Sequence, residues 1–294
     1  MIYSTSGTTQ AIQFPGGEEH VNITGAMDQY EVVAIRDGSA SSLVQAAEVS
    51  LLRAKRGLPT SLVAAYLPGA RQDKHLEVEG ALFASIINAG RFQSVWVLDP
   101  HSDAIVSRIN AHIVRHPIGY TVDFARTVGA DLVVAPDAGA TQRADLIASA
   151  LDIPMMVAHK TRGENGRITS YSVPPYDGPE PTSILAVDDI CDGGGTFNYL
   201  ADILSERFPR ATRSLWVTHG VFSQGVEAVS GPERYAAIGT TDSHIGAGEQ
   251  VFDKIRTNLL SDGTTVYVYR ALDDLMRSAM ENLGYQFNHR RMPW

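Results

Sequence analysis

Residues 184–196, I-L-A-V-D-D-I-C-D-G-G-G-T, decide the fold of this chain. An apolar run leads directly into the adjacent carboxylates Asp188 and Asp189, which are followed by Asp192 and the glycines at 193–195. The apolar run predicts a buried strand, and the acids and glycines predict a turn that ends at the start of a helix. Backbone N–H groups at such a glycine-rich helix start can bind phosphate, because no side chain stands between them and the ligand.

These features together predict a ribose-phosphate site. The adjacent carboxylates can accept hydrogen bonds from sugar hydroxyl groups, while the glycine backbone holds the phosphate one short loop away. We also predict that Thr196 caps the following helix, which carries Phe197, Leu200 and Leu204 on one face. The alternative is a plain glycine-rich corner between a strand and a helix. The chain contains neither a G-x-x-x-x-G-K-[ST] loop nor a G-x-G-x-x-G fingerprint.

Length and composition fit a folded protein of two domains. The chain has 294 residues, 44% of them hydrophobic, and a formal net charge of -9, which argues against nucleic acid as a partner. No run of 18 apolar residues occurs and residues 1–10 lack a signal-peptide pattern, so we expect a cytoplasmic protein without a membrane partner. Cys191 is the single cysteine, which excludes an intrachain disulfide bond, and we expect its thiol to serve packing.

Short apolar runs recur along the chain and predict parallel strands that are covered on both faces. We predict strands at residues 31–35, 62–66, 94–98, 131–135, 155–158, 184–187 and 214–217, and helices at 42–55 and 141–151 among others. The expected fold class is α/β, with two tandem doubly wound parallel-sheet domains. We place the first domain at residues 1–128 and the second at 129–270, and we expect residues 271–294 to return to the first domain.

Three further segments each follow a predicted strand, where ligands bind in doubly wound sheets. Residues 66–73, Y-L-P-G-A-R-Q-D, deliver Arg71, Gln72 and Asp73 after a Pro-Gly turn. Residues 99–101 are D-P-H, and residues 136–139 are P-D-A-G. Such charged segments are also typical of solvated surface loops.

The glycine-rich string, these segments and their order resemble the ribose-phosphate diphosphokinases, also called PRPP synthetases, over nearly the whole chain. Residues 184–196 are similar to the sugar-phosphate signature that this family shares with type I phosphoribosyltransferases, and residues 70–73 resemble its A-R-Q-D-R nucleotide segment. The resemblance implies a phosphoribosyltransferase-type fold in both domains. It also implies a ribose-phosphate site formed by Asp188, Asp189, Asp192, Gly193, Gly194, Gly195 and Thr196.

The resemblance implies further residues for ATP and for a Mg²⁺ cofactor. Residues 14–18, F-P-G-G-E, resemble the family's F-S-D-G-E hairpin, which reaches into a neighbouring subunit of a homo-oligomer, so a homo-oligomer is expected. The implied ATP-binding residues are Phe14, Glu18, Arg71, Gln72, Asp73 and His101. His101 and Asp137 are the implied metal contacts, and Mg²⁺ needs only one or two carboxylates besides the ATP phosphates.

The segment after the strand at 155–158 resembles the family's mobile catalytic loop. Lys160 and Arg162 match the two positions that carry its positive charge, and such cations stabilise charge on a transferred phosphoryl group. Gly193 departs from the family because a Thr usually stands there. Losing that side chain makes room around the sugar phosphate, so a larger 5-substituted ribose such as ADP-ribose is an alternative acceptor.

The function implied by the resemblance is diphosphoryl transfer from Mg-ATP to the anomeric hydroxyl of ribose 5-phosphate, giving PRPP and AMP. A phosphoribosyltransferase that consumes PRPP would share the acidic-glycine signature, but it has no use for a separate nucleotide-binding half. A non-catalytic regulatory homologue is the third alternative. The presence of Lys160, Arg162, His101 and the three loop aspartates disfavours it.

Overall fold

The computed structural model describes residues 2–5, 9–72, 79–162, 168–244 and 255–285. The chain forms two compact units. The first comprises Met1–His116 together with Ala271–Trp294, and the second comprises Pro117–Arg270. No helix in the described ranges is long and apolar enough to cross a membrane.

The elements alternate between strand and helix along much of the chain. The strands are β1 Ile2–Ser4, β2 Thr9–Gln13, β3 Glu19–Ile23, β4 Val32–Ile35, β5 Ser61–Ala64, β6 Ser94–Leu98, β7 His112–Arg115, β8 Leu132–Ala135, β9 Met155–Val157, β10 His159–Arg162, β11 Ile168–Ser172, β12 Ser183–Cys191, β13 Thr212–Gly220, β14 Ala237–Thr241, β15 Ile255–Leu259 and β16 Thr265–Tyr269. The α-helices are α1 Ala40–Ala54, α2 Glu79–Ala89, α3 Asp103–Val106, α4 Ile118–Thr127, α5 Thr141–Leu151, α6 Gly195–Arg207 and α7 Ala271–Asn282.

The first unit contains a five-stranded sheet in the order β1-β4-β5-β6-β7. Strands β4 to β7 are parallel, and β1 runs antiparallel to β4 at the edge. Every residue of β4, β5 and β6 is buried, which explains why these segments are apolar apart from Ser61 and Ser94 and do not alternate with polar residues. Helix α7 packs against β4, β5 and β6, so the last helix belongs to this unit.

The second unit contains a seven-stranded sheet in the order β15-β16-β14-β13-β12-β8-β9, which is parallel except for β15. Two apolar clusters cover its faces. One includes Leu200 and Leu204 of α6, and the other includes Phe124 of α4 and Ile147 of α5. Helices on both faces of a mostly parallel sheet define a doubly wound domain, and the predicted α/β class is confirmed.

The boundary between the units lies twelve residues earlier than the sequence analysis placed it. Helix α4 was assigned to the first domain, but Val122 and Phe124 pack against Val133 and Trp216 of the second. The segment 117–128 is therefore part of the second unit. The sequence of α4 shows an apolar face but does not indicate which of the two sheets that face covers, because both sheets present similar apolar surfaces.

Candidate sugar-phosphate site

The acidic pair lies within a strand, not in the turn that the sequence predicted. Strand β12 continues through Asp188 and Asp189 to Cys191, because β13 pairs with it in parallel as far as Cys191 opposite Gly220. Asp188 retains 17% of its side-chain surface exposed, while Asp189 is buried at 5%. Regular pairing on a neighbouring strand therefore fixes the backbone of both acids.

The carboxylate of Asp188 lies in a crowded electrostatic environment. Its Oδ1 atom accepts a hydrogen bond from the backbone N–H of Asp189 at 2.9 Å and lies 3.8 Å from Nη1 of Arg143 on α5. Burial and the neighbouring carboxylate of Asp189 raise the pKa of Asp188 well above its ordinary value, and the charge of Arg143 opposes this shift. The two adjacent acids thus favour sharing a proton unless a cation or hydrogen-bond donors compensate them.

The glycine segment turns the chain from β12 into α6. Gly194 is the residue before the helix, with φ of +80°, and an added Cβ would lie 2.4 Å from Cγ1 of Val229. Only glycine fits there without strain. Position 193 is open, since an added Cβ would meet nothing closer than Cγ of Gln224 at 3.7 Å, and at Gly195 nothing lies within 4 Å.

The predicted capping role of Thr196 is wrong. Helix α6 begins at Gly195 and Gly194 occupies the cap position, where no side chain hydrogen-bonds to the helix. The first N–H groups of a helix lack intrahelical partners, so a phosphate can bind them where a side-chain cap would otherwise do so. Asp192 lies between β12 and this cap.

Cys191 is buried among apolar side chains, and burial together with Asp192 and Asp188 raises the pKa of its thiol to about 12. A thiol with such a pKa is a poor nucleophile at neutral pH.

A second group of polar residues surrounds the end of β8. Asp137 caps a short 3₁₀-helix, because its Oδ1 accepts the N–H of Gly139 at 2.9 Å, and its Oδ2 pairs with Nζ of Lys160 from β10. The hydroxyl of Tyr171 on β11 donates to the backbone carbonyl of Pro136. Burial, Asp137 and Asp188 all raise the pKa of Tyr171, so this phenol stays neutral and acts as a donor.

The predicted basic loop is a hairpin in its described part. Residues 159–162 of β10 pair antiparallel with β11, and Lys160 lies opposite Tyr171. The side chain of Arg162 lies outside the described part of the chain. Through its hydrogen bond to Pro136, Tyr171 therefore connects β11 to the loop that carries Asp137.

In the first unit, Arg71 and Gln72 follow β5 after the turn at Gly69, whose φ is +79°. Arg71 is exposed, whereas Oε1 of Gln72 is buried and has no hydrogen-bond partner in the described ranges. A buried amide oxygen without a donor is costly, and a ligand donor would satisfy it. The predicted residue Asp73 lies outside the described residues.

Two other predicted nucleotide residues lie at exposed positions of the first unit. His101 follows β6 and is exposed; Asp99, two residues earlier, is buried with φ of +38° and lies 3.2 Å from Nδ1 of His116. Phe14 is 48% exposed at the tip of the β2–β3 hairpin. The hairpin closes there, because the N–H of Phe14 donates to the carbonyl of Glu18 at 2.8 Å.

In the second unit, the acidic pair, the glycine cap and Asp137 thus all lie at the carboxyl ends of the adjacent parallel strands β8 and β12. Two residues were not predicted from the sequence: Arg143, which lies beside Asp188, and Tyr171, whose pKa is raised by the charges of Asp137 and Asp188. Arg143 stands six residues after Asp137 at the start of α5, but nothing in its sequence context separates it from a solvated arginine. The described residues include no cluster of three or more His, Cys, Asp or Glu side chains.

Comparison with known proteins agrees with this architecture. The family profile of the phosphoribosyl transferase domain matches residues 99–217. The structure is similar to that of phosphoribosylpyrophosphate synthetase from Mycobacterium smegmatis, with a TM-score of 0.66 and 21% identity over 93% of this chain and 90% of that one. The fold thus belongs to the phosphoribosyltransferase type.

The chain is also similar in sequence to ribose-phosphate pyrophosphokinases. Ribose-phosphate pyrophosphokinase 2 of Schizosaccharomyces pombe is 26% identical over 74% of this chain and 71% of its own length. Ribose-phosphate pyrophosphokinase of Thermococcus kodakarensis is 27% identical over 74% of this chain and 80% of its own length. That of Porphyromonas gingivalis is 28% identical over 54% of this chain and 52% of its own length, about half of that protein. About three quarters of the chain is thus similar in sequence to ribose-phosphate pyrophosphokinases.

Proposed function

We propose that the protein transfers the diphosphoryl group of Mg-ATP to the anomeric hydroxyl of ribose 5-phosphate, giving PRPP and AMP. The observation that carries this proposal is one continuous strand-loop-helix segment, in which Asp188 and Asp189 precede the side-chain-free cap at Gly194. Carboxylates suit a sugar diol and an uncapped helix start suits a phosphate, so one segment can bind both ends of a ribose phosphate. The names of the relatives agree with this substrate class.

The reaction requires alignment and charge stabilisation rather than a side-chain nucleophile. The anomeric oxygen attacks the β-phosphorus, the bond from that phosphorus to the bridging oxygen of the α-phosphate breaks, and AMP leaves while the hydroxyl proton passes to solvent. Asp188 and Asp189 would orient the ribose. Lys160 would stabilise the charge on the transferred group, a contribution of roughly 3 kcal/mol for one well-placed donor.

The residues of each unit fit the remaining components. In the first unit, the unsatisfied amide oxygen of Gln72 and the exposed guanidinium of Arg71 are proposed to bind the adenine nucleotide. Asp137 of the second unit supplies carboxylate oxygens of the kind Mg²⁺ prefers, and we propose it as a ligand. The metal contact of His101 in the first unit stays a prediction from the resemblance. When bound, Mg²⁺ would neutralise charge on the triphosphate.

The decisive experiment follows AMP release by the purified full chain with ATP, ribose 5-phosphate and Mg²⁺, and identifies PRPP by ³¹P NMR. Omission of either the sugar or Mg²⁺ should abolish AMP release. An Asp188→Asn/Asp189→Asn variant should lose the reaction but retain nucleotide binding, whereas Asp145→Asn on the exposed side of α5 should behave as wild type. A wild-type protein that binds ATP yet releases no AMP with any ribose acceptor would instead support the non-catalytic homologue.

A second candidate acceptor is a 5-substituted ribose such as ADP-ribose. The open space at position 193 favours it, because the backbone there leaves room beside the proposed phosphate position. Gly193→Thr should fit sterically, since only Gln224 approaches, and it should lower kcat/KM for ADP-ribose more than for ribose 5-phosphate. Equal effects on both acceptors would exclude this candidate.

A further inference from the structure

Arg143 approaches the proposed sugar-binding acids from outside the recognised motifs. It is the third residue of α5, and its Nη1 atom lies 3.8 Å from Oδ1 of Asp188. Both side chains are largely enclosed, with exposed fractions of 21% for Arg143 and 17% for Asp188. Enclosure strengthens this pair relative to an exposed surface ion pair, because water screens it less.

The helix that carries Arg143 has a well-defined position. Ala144 and Ile147 of α5 are buried in the cluster that also contains Val133 and Val187 of the sheet. The guanidinium therefore projects from a packed helix rather than from a loop. A cation on a rigid element can fix the position of a carboxylate as well as attract it.

Asp188 needs such a cation. Among the described residues, the titratable groups that interact electrostatically with Asp188 include Asp189 on its own strand, Arg143 on α5, Tyr171 on β11 and Cys191 beyond the acidic pair. Tyr171 and Cys191 stay neutral because their pKa values are raised, and Asp189 repels a second negative charge. Arg143 is the group in this set that favours the charged form of Asp188.

We propose that Arg143 is a positioning residue of the sugar site, whose guanidinium favours the charged form of the Asp188 carboxylate and orients it to accept hydrogen bonds from the ribose hydroxyl groups. It acts through Asp188 and is not assigned a contact with the substrate. The inference rests on the proposed function in assigning the sugar to Asp188. The ion pair itself stands on the geometry alone.

The kinetic test compares Arg143→Met and Arg143→Lys with Arg126→Met, which removes an exposed arginine from the neighbouring helix α4. Arg143→Met should raise KM for ribose 5-phosphate about tenfold and move the acidic limb of kcat/KM upward by about one pH unit. KM for Mg-ATP should not change. Arg143→Lys should return the acidic limb to its wild-type position, because the positive charge is kept. It should recover only part of the wild-type KM for ribose 5-phosphate, because lysine lacks the planar guanidinium group.

A second measurement needs no turnover and separates failure of this inference from failure of the proposed function. ¹³C NMR follows the titration of the Asp188 carboxyl group in ligand-free protein, with Asp188→Asn as the assignment control. The midpoint should rise in Arg143→Met and return in Arg143→Lys. An unchanged midpoint, or an equal change in Arg126→Met, overturns the inference, whereas a wild-type protein that makes no PRPP overturns only the function.

Discussion

Lys160 pairs through Nζ with Oδ2 of Asp137, while the other carboxylate oxygen of Asp137 accepts the N–H of Gly139. Lys160, the proposed catalytic cation, thus pairs with an oxygen atom of Asp137, the proposed Mg²⁺ ligand. The pair is largely enclosed, with exposed fractions of 11% for Lys160 and 29% for Asp137. A metal ion bound through Oδ2 of Asp137 would compete with this ammonium group, and Lys160 would then be available for the substrate.

The first prediction is that Lys160→Met binds Mn²⁺, used as a paramagnetic probe for Mg²⁺, more tightly than wild type. The competing ammonium is gone, so the dissociation constant should fall severalfold, while kcat should fall by about 10² to 10³ through lost charge stabilisation. Electron paramagnetic resonance measures the first quantity and AMP release the second. Lys55→Met, at an exposed position beyond α1, is the matched control and should change neither. Weaker Mn²⁺ binding by Lys160→Met would contradict competition between the two cations.

The second prediction concerns the backbone at Gly194. Gly194→Ala places a side chain at φ of +80° and 2.4 Å from Cγ1 of Val229, so it should cost about 1–3 kcal/mol of the free energy of unfolding and weaken binding of sugar phosphate. Urea unfolding and calorimetric titration with ribose 5-phosphate measure the two effects. Gly195→Ala, where nothing lies within 4 Å, is the control and should remain near wild type in stability.

A double variant separates the two causes at Gly194. Gly194→Ala/Val229→Ala removes the steric contact but retains the strained backbone conformation. It should therefore regain only part of the sugar-phosphate affinity. Full recovery would mean that the left-handed conformation carries no strain.

The α/β architecture could be predicted from local sequence because buried parallel strands appear there as short, nearly continuous apolar runs. The segments 94–98 and 141–151 were predicted with the bounds that β6 and α5 have in the structure. In contrast, the sequence placed Asp188 and Asp189 in a turn because adjacent acids rarely occupy a strand interior. Only pairing with β13, a strand remote in sequence, extends β12 through them. That information is tertiary and is absent from residues 184–196 themselves.

The same distinction applies to the site. Asp137 and Lys160 were selected by family resemblance, and the structure brings them into contact. Arg143 and Tyr171 were missed because their importance comes from what they face, not from a motif. Thr196 was assigned a cap because threonine favours that position, but Gly194, two residues earlier, adopts the left-handed conformation at the cap and the helix begins at Gly195.

The third prediction concerns the stability of the first unit. Arg53 and Glu31 form an ion pair of 3.6 Å with both side chains 1% exposed, and Arg53 also donates to Thr60 and to the carbonyls of Asp28 and Pro59. Arg53→Met should cost about 3–5 kcal/mol of unfolding free energy, because Glu31 is left buried without its cation. Urea unfolding measures the loss. Arg56→Met, an exposed change three residues later, should cost far less, and a similar loss there would contradict the role of the buried pair.

The last prediction is that the acidic pair lowers stability while it serves sugar binding. Burial and Asp189 raise the pKa of Asp188, so the folded state binds its proton more tightly than the unfolded state does. Where the folded pKa exceeds the unfolded value, stability is highest at low pH and falls as the pH rises from the unfolded to the folded pKa. Asp188→Asn should therefore be more stable than wild type at neutral pH, and its unfolding free energy should depend less on pH across that window.

The same variant should bind ribose 5-phosphate at least about tenfold more weakly, because charge-assisted hydrogen bonds to the hydroxyl groups are lost. Urea unfolding at several pH values measures the stability and calorimetric titration measures the affinity. Asp145→Asn, an exposed change on α5, should alter neither. A gain in stability together with a loss of ribose 5-phosphate affinity is what we expect if the two carboxylates are held together to bind a ligand. If Asp188→Asn were less stable than wild type at neutral pH, the carboxylate would serve the fold instead of the sugar.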